Sequence, residues 1–386
     1  MKIDEVHFNH DTNDASSDAF NIRQNASGTP ITAPEWKDGQ PSRPAAYARY
    51  ELGSTVSIKA KITGGPPDTK RKIRAIDPWV PPADPGGCLG WLVVLIANLF
   101  RALFGNVLGE VNKKNISFDS AGNSAVETFT LTNHKLTTTQ VGIRKTTWIW
   151  QVFEKGAWTD IGTTEHTIFV VLEIPKTPWQ QTGMGSNNTQ LPWVDALEKA
   201  CLWAIGAQTL DEAAEKITRA VNRVSNVSYT PMTMFCPSGN YNLTGYINAL
   251  DSSGNFVMNC RDCANAVTTF SNLIGTNFYE GKFDSMDTRP FLTLSGNANN
   301  PADWVTWSWG WHEIAWTGPT LDENGLVYDG CLQLDIDNNY SDSAHIAHLP
   351  VKMTFGTVND GSNYRYRLIE SGTGTPDPPA NQRPVL

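Results

Sequence analysis

Cysteine, histidine and aspartate follow one another here in an order that could support thiol chemistry. The segment Asn259-Cys260-Arg261-Asp262-Cys263-Ala264-Asn265 supplies the thiols, the aromatic run Trp304 to Trp316 supplies His312, and Asp329 follows a turn at Asp322-Glu323-Asn324-Gly325. A thiol that attacks a carbonyl carbon needs a base to take its proton and deliver it to the leaving group, and imidazole suits that task near neutral pH. A carboxylate beside the imidazole would hold its tautomer and stabilise its charged form. Asp329 is the first choice for that carboxylate and Asp335 the reserve. The competing reading of Cys260, His312 and Asp329 is an unrelated set of core side chains.

The elements that would position these groups are legible. Phe256-Val257-Met258 reads as a short buried approach, and Asn259 as the cap of a helix that starts at Cys260 and stops at Gly275. Asp262 sits three residues after the cap, faces the positive helix end and completes a variant capping box. A thiol in the first turn lies in the field of the helix dipole, which favours thiolate. Cys263 falls about one turn further in and reads as a packed structural thiol. Cys260 and Cys263 form a C-x-x-C without a second pair or a thioredoxin-like pattern around it, so neither a metal nor a cofactor is expected. His312 is expected on a strand, and Asn324-Gly325 signals a hairpin that brings Leu326 to Asp329 back beside it. His345 and His348 fall in a polar loop and are less constrained. The backbone N–H of Cys260 is a natural oxyanion donor, while the second donor stays open among Asn255, Asn259 and the indoles of Trp307 and Trp309.

Upstream, Trp193 to Ile205 and Leu210 to Val224 have helical spacing, and Thr209 with Glu212 makes a capping box. Further back the pattern changes to strands: Thr55 to Ile62, where Val56, Ile58, Ala60 and Ile62 alternate with polar partners, then Asn115 to Phe118, Ala125 to Leu131, Thr147 to Phe153 and His166 to Ile174, separated by turn residues. These short strands imply an immunoglobulin-like β-sandwich. Trp148 and Trp150, two apart, share a sheet face and read as core; His134 and His166 lack acidic or cysteine partners at ligand spacing. The division expected is an N-terminal arm over 1–44, a sandwich over 45–175, a linker over 176–190, a catalytic domain over 191–370 and a flexible tail over 371–386. An apolar helical insertion at about 78–104 interrupts the sandwich. Its run from Cys88 to Phe104 is broken by Asn98 and Arg101 and is short for a membrane span. It reads as a helix packed on the protein itself, or as a docking element for a membrane or protein partner.

With 386 residues and 40% hydrophobic composition, the chain can build two cores. A formal net charge of −9 with scattered Lys and Arg argues against nucleic-acid binding. The start Met1-Lys2-Ile3-Asp4-Glu5-Val6-His7 lacks the pattern of a secretory signal, so synthesis into the cytoplasm is expected, with any export by another route, and the six cysteines read as free thiols.

Cys260-Arg261-Asp262-x-Ala264 on a helix, His312 on a strand with Trp316 four residues on, and Asp329 on the next strand together resemble the transglutaminase-like superfamily. That family's helix motif has the form G-x-C-x-D-x-A, followed by strands of H-A-W and W-x-x-D type. The resemblance covers about Leu210 to Asp335. Met258 stands where the family has Gly, Glu313 and Ile314 follow the His, and Val327 and Tyr328 precede the acid. It implies a papain-like catalytic domain after the sandwich, an α+β chain overall, with Cys260 as nucleophile, His312 as base and Asp329 as orienting acid. The activity expected is cysteine-dependent amide acyl transfer, with peptide hydrolysis first because water needs no acceptor site, on a protein or peptide substrate. An exported effector or toxin would combine such an enzyme with a docking insertion. A non-catalytic assembly protein that docks through the sandwich and its insertion is the alternative.

Overall fold

The computed structural model describes residues 1–10, 17–53, 55–78, 108–132, 135–179, 190–337, 339–340 and 344–386. The apolar run Cys88 to Phe104, His134 and most of the expected linker lie outside the described residues. The chain is mixed α+β and forms two compact units, one of Met1–Ile174 with Gln181–Gln208 and one of Pro175–Gln180 with Thr209–Leu386.

Among the described residues of the first unit, strands β1 (Lys2–His7), β2 (Trp36–Lys37), β4 (Ser57–Thr63) and β7 (Glu127–Thr130) form one sheet in the order β2-β1-β4-β7. Strands β3 (Ala45–Ala48), β5 (Lys70–Ile76), β6 (Val111–Ser117), β8 (Gly142–Glu154) and β9 (Ala157–Val171) form a second in the order β3-β9-β8-β5-β6. Alternation along β4 turns Ile58, Ala60 and Ile62 inward, and these share one core with Trp148, Trp150 and Val152 of β8. Both indoles are anchored as well as buried, Trp148 Nε1 to Gly109 O at 2.7 Å and Trp150 Nε1 to Thr164 Oγ1 at 3.0 Å. His166 is a core residue against Phe8 and Trp148, and burial lowers its pKa to about 3. Helix α1 (Val194–Trp203) belongs to this unit.

The N-terminal stretch, expected as a surface arm, starts instead with a core strand. Its two apolar residues, Ile3 and Val6, are three apart and cannot face one side of a regular strand. A register shift between Ile3 and Glu5 against β4 resets the phase, so that both are buried. A period of two was never present to be read.

The second unit is built on a sheet in the order β18-β15-β14-β12-β19, with β12 (Phe278–Thr288), β14 (Ser308–Thr317), β15 (Leu326–Tyr328), β18 (Val351–Thr354) and β19 (Ile369–Asn381). Helices α2 (Leu210–Asn222), α3 (Leu243–Asp251) and α4 (Cys260–Ile274) accompany it, and α5 (Tyr364–Leu368) precedes β19. Two parallel three-residue strands, β10 (Val227–Tyr229) and β11 (Phe256–Met258), lead to α4. Thr209 caps α2 by accepting from Glu212 N, and α4 ends at Gly275 with φ of 115°. Lys176 N and Trp179 Nε1 donate to Asn272 O and Thr269 O of α4, each at 2.9 Å, so this part of the expected linker is fixed to the helix.

The expected flexible tail is also ordered. β19 runs along β12 through several register shifts, and Gly372 and Gly374 take φ of 99° and 49° there. The Gly, Thr and Pro content that reads as coil is what lets a heavily bulged edge strand follow its neighbour. Beyond it, Tyr241 N donates to Pro384 O, and Leu386 N donates to Tyr241 O, each at 2.9 Å.

Candidate active site

Cys260 occupies the first position of α4 and is 4% exposed. Asn259 Oδ1 accepts from Asp262 N at 3.0 Å, and Asp262 Oδ2 accepts from Asn259 N at 3.2 Å, which closes the reciprocal box expected from the sequence. Asp262 does more than cap. Its carboxylate also accepts from Thr233 Oγ1, Met234 N and Phe235 N, each at 2.9 Å, tying the loop after β10 to the helix start. The register of β10 against β11 sets Tyr229 opposite Met258, two residues before the thiol.

His312 lies on β14 and is fully buried. Its Nε2 is 3.0 Å from Asp329 Oδ2, just past the end of β15. Asp329 is held in turn: Tyr364 Oη donates to Oδ2 at 2.7 Å, and Cys331 N donates to Oδ1 at 2.8 Å. The indole of Trp309 lies flat against the imidazole, 4.8 Å between centroids and 10° between planes, and Phe283 meets it edge-on at 5.6 Å. With Nε2 turned to Asp329, Nδ1 is buried without a well-formed hydrogen bond, and the remaining group that acts on the ring by charge and hydrogen bonding is the Cys260 thiol. Burial works against an imidazolium here. The charges of Asp329 and Cys260, with their hydrogen bonds, outweigh it and raise His312 to about 10.

Cys260, His312 and Asp329 are therefore brought together, and Asp335 is elsewhere. It accepts from Ile346 N at 3.0 Å and pairs with His345 Nδ1 at 2.7 Å, so the less constrained histidine has the reserve acid as its partner. Cys263 and Cys331 are both buried, and burial raises the pKa of each thiol. Asn255 is exposed and does not line the site, while the Oδ1 of Asn259 is used by the cap. Among the described residues no group of three or more His, Cys, Asp or Glu is arranged to hold a metal ion, and no helix is long and apolar enough to cross a membrane.

A cleft of about 440 Å³ opens over the thiol. Its walls are Tyr229 and Pro231 on one strand and its loop, Asn259 and Cys260 at the helix start, and Trp307 to Trp311 on and before β14. Apart from the Cys260 sulfur, none of these residues carries a formal charge. Arg261, next to the thiol, is turned away into a stack over Trp311, 4.7 Å from its ring centroid, and a 2.9 Å bond to buried Glu313, which also pairs with Arg383. Tyr229, Pro231 and Tyr364 were not identified from sequence. Tyr229 depends on a parallel pairing of two very short strands, and Tyr364 reaches Asp329 from 35 residues away, so neither has a spacing signal.

No protein-family model matches the chain, and no curated protein matches it by sequence. Among solved structures, the crystal structure of red sea bream transglutaminase is similar with a TM-score of 0.38 and 11% identity, over 86% of this chain and 55% of that one. The chain thus spans about half the length of that transglutaminase.

Proposed function

We propose that the chain is a cysteine-dependent acyl-transfer enzyme of transglutaminase-like type that hydrolyses amide bonds in a protein or peptide, with Cys260 as nucleophile, His312 as acid and base, and Asp329 as the group that orients His312. The first unit is read with it as an immunoglobulin-like sandwich. The observation that supports the reading is one arrangement: a thiol at a helix start, under an open cleft, acting on a buried imidazole whose far nitrogen is bound to a carboxylate.

The steps follow from that arrangement. With its proton on the imidazole, the Cys260 sulfur attacks the carbonyl carbon and the carbonyl π pair moves to oxygen. As the C–N bond breaks, His312 gives its proton to the departing amine, leaving a thioester on Cys260. Water then attacks the thioester while His312 takes its proton, and the sulfur leaves as the acid is released. Asp329 keeps Nε2–H directed at itself, so that Nδ1 is the nitrogen that exchanges the proton with sulfur, amine and water. Hydrolysis is preferred over transfer because it needs no second binding site for an amine.

The test is iodoacetamide labelling followed residue by residue with mass spectrometry across pH. Cys260 should react fastest among the cysteines, and His312→Ala should slow it. Equal rates at Cys260 and Cys263, or no labelling at either, would sink the reading.

A further inference from the structure

Attack by the Cys260 sulfur turns the carbonyl oxygen into an oxyanion, which must be met by at least two donors that do not belong to the proton-transfer pair. One is on hand. The N–H of Cys260, at the first helical position, has no intrahelical acceptor and points out of the helix start. The other must come from the flank of the thiol that His312 does not occupy. Asn259 is held at the cap through its oxygen, which leaves its amide N–H as one candidate, and Trp309 lies flat on the imidazole, on the proton-transfer side.

Another polar group in the cleft wall beside the thiol is a phenol. Tyr229 ends β10, stands opposite Met258 in the parallel pair, and shares the cleft wall with Asn259 and Cys260. Thr230 N donates to Met258 O at 2.9 Å, which fixes the backbone beside Tyr229 to the strand that enters the helix. The ring rests against Trp307, 5.1 Å between centroids, and its hydroxyl makes no hydrogen bond among the described residues. We propose that the Tyr229 hydroxyl is the second oxyanion donor, pairing with the backbone N–H of Cys260 on the oxygen of the tetrahedral intermediate. Burial, with the nearby Cys331, Cys260, Cys263 and Asp329, raises the phenol's pKa, so the hydroxyl keeps the proton a donor needs. A hydroxyl without a partner in the resting site gains one only when the oxyanion forms, which is the condition under which a hydrogen bond lowers a barrier instead of tightening ground-state binding.

This rests on Cys260 being the acyl-accepting nucleophile, and two reagents separate the claims. p-Nitrophenyl acetate acylates a thiol through a tetrahedral oxyanion, with p-nitrophenolate as leaving group. Iodoacetamide alkylates the same thiol by displacing iodide and forms no oxyanion. Tyr229→Phe keeps the ring and its packing on Trp307. It should lower the single-turnover acylation rate by about 100-fold while the alkylation rate of Cys260 stays within about twofold. The change should fall on the rate at saturating ester and not on the concentration giving half-saturation. Acylation at the wild-type rate in Tyr229→Phe, with the burst lost in Cys260→Ala, overturns the role of Tyr229 and leaves the nucleophile standing. Equal losses in acylation and alkylation reduce Tyr229 to packing and overturn its role as well. A burst that survives Cys260→Ala overturns the thiol reading and the proposal with it.

Discussion

Asp329 Oδ2 is shared by two donors from different parts of the chain, His312 Nε2 at 3.0 Å and Tyr364 Oη at 2.7 Å. Both partners are fully buried, so the carboxylate has no water to trade for either bond. The phenol sets where the oxygen sits, and the oxygen sets the imidazole. Asp329→Asn should therefore cut acylation of Cys260 by p-nitrophenyl acetate by about 10²-fold or more, because an amide can offer its N–H to Nε2 and reverse the tautomer. Tyr364→Phe should cost less, about 10-fold, since one donor to the carboxylate is lost while Cys331 N remains. Rates in single-turnover mixing decide the order, and a Tyr364→Phe effect larger than that of Asp329→Asn would contradict it.

The charge on His312 gives a pH prediction with a definite sign. The ordinary value of 6.5 is raised to about 10, against burial, by Asp329 and Cys260. The folded protein then binds more protons than the unfolded chain between these two values, and stability from this source is complete below about 6.5 and lost as pH rises through about 10. The proton that His312 delivers to a leaving amine disappears over the same upper limit. Acylation by an anilide substrate, whose leaving group needs that proton, should fall above about pH 10 in the wild type. In Asp329→Asn the fall should move toward neutral pH, since the larger of the two charges that raise His312 is removed. An alkaline limb that does not move would show that Asp329 does not act on the imidazole.

Legibility from sequence divided along physical lines. The start of α4 could be read because capping is local: Asn259, Asp262 and Gly275 each act within a few residues of the element that they delimit. His312 and Asp329 could be placed together because the turn residues Asp322 to Gly325 mark a return between adjacent antiparallel strands, although the connection runs over residues 318–325 and is longer than a two-residue Asn-Gly hairpin; Ala315 then pairs with Tyr328 and Trp316 with Val327. Lys2–His7 and Ile369–Asn381 read as coil because bulges break the period of two that reveals a strand. Tyr229 and Tyr364 are fixed only by long-range packing, for which a single sequence carries no periodic trace.

Asp262 combines a helix cap with the anchoring of residues 233–235, and the two roles can be separated. Asp262→Ala removes the reciprocal acceptor of Asn259 N and leaves Met234 N, partly buried, and Phe235 N, buried, without their acceptor. A cap alone is worth about 1 kcal/mol, and each stranded buried donor adds about 1–3. The variant should lose several kcal/mol in urea unfolding. Asp262→Asn keeps one acceptor oxygen and should lose less than half of that. If both variants lost only about 1 kcal/mol, the loop contacts would contribute nothing and Asp262 would be a cap alone.

Gly330, directly after Asp329, tests whether the acid is positioned by packing as well as by hydrogen bonds. A Cβ there would lie 2.9 Å from Val267 Cγ2 of α4 and 3.0 Å from Val221 Cγ1 of α2, so the chain passes too close to both helices for any side chain. The backbone at Gly330 also accepts from Asn222 Nδ2 at 3.3 Å, which limits how far it can withdraw. Gly330→Ala should cost about 1–3 kcal/mol of stability through overpacking. The strain falls one residue from the carboxylate, so the displacement should reach the bond to His312 and slow acylation by about 10-fold, in line with the sensitivity of reaction rates to small misplacements. Trimming one of the obstructing side chains separates the two effects. Val267→Ala combined with Gly330→Ala should recover acylation while remaining less stable than the wild type, because a methyl-sized cavity stays elsewhere along α4. Stability measured by urea unfolding and acylation measured by single turnover would then move independently, and failure of the double variant to recover its rate would place the loss outside the contact between Gly330 and α4.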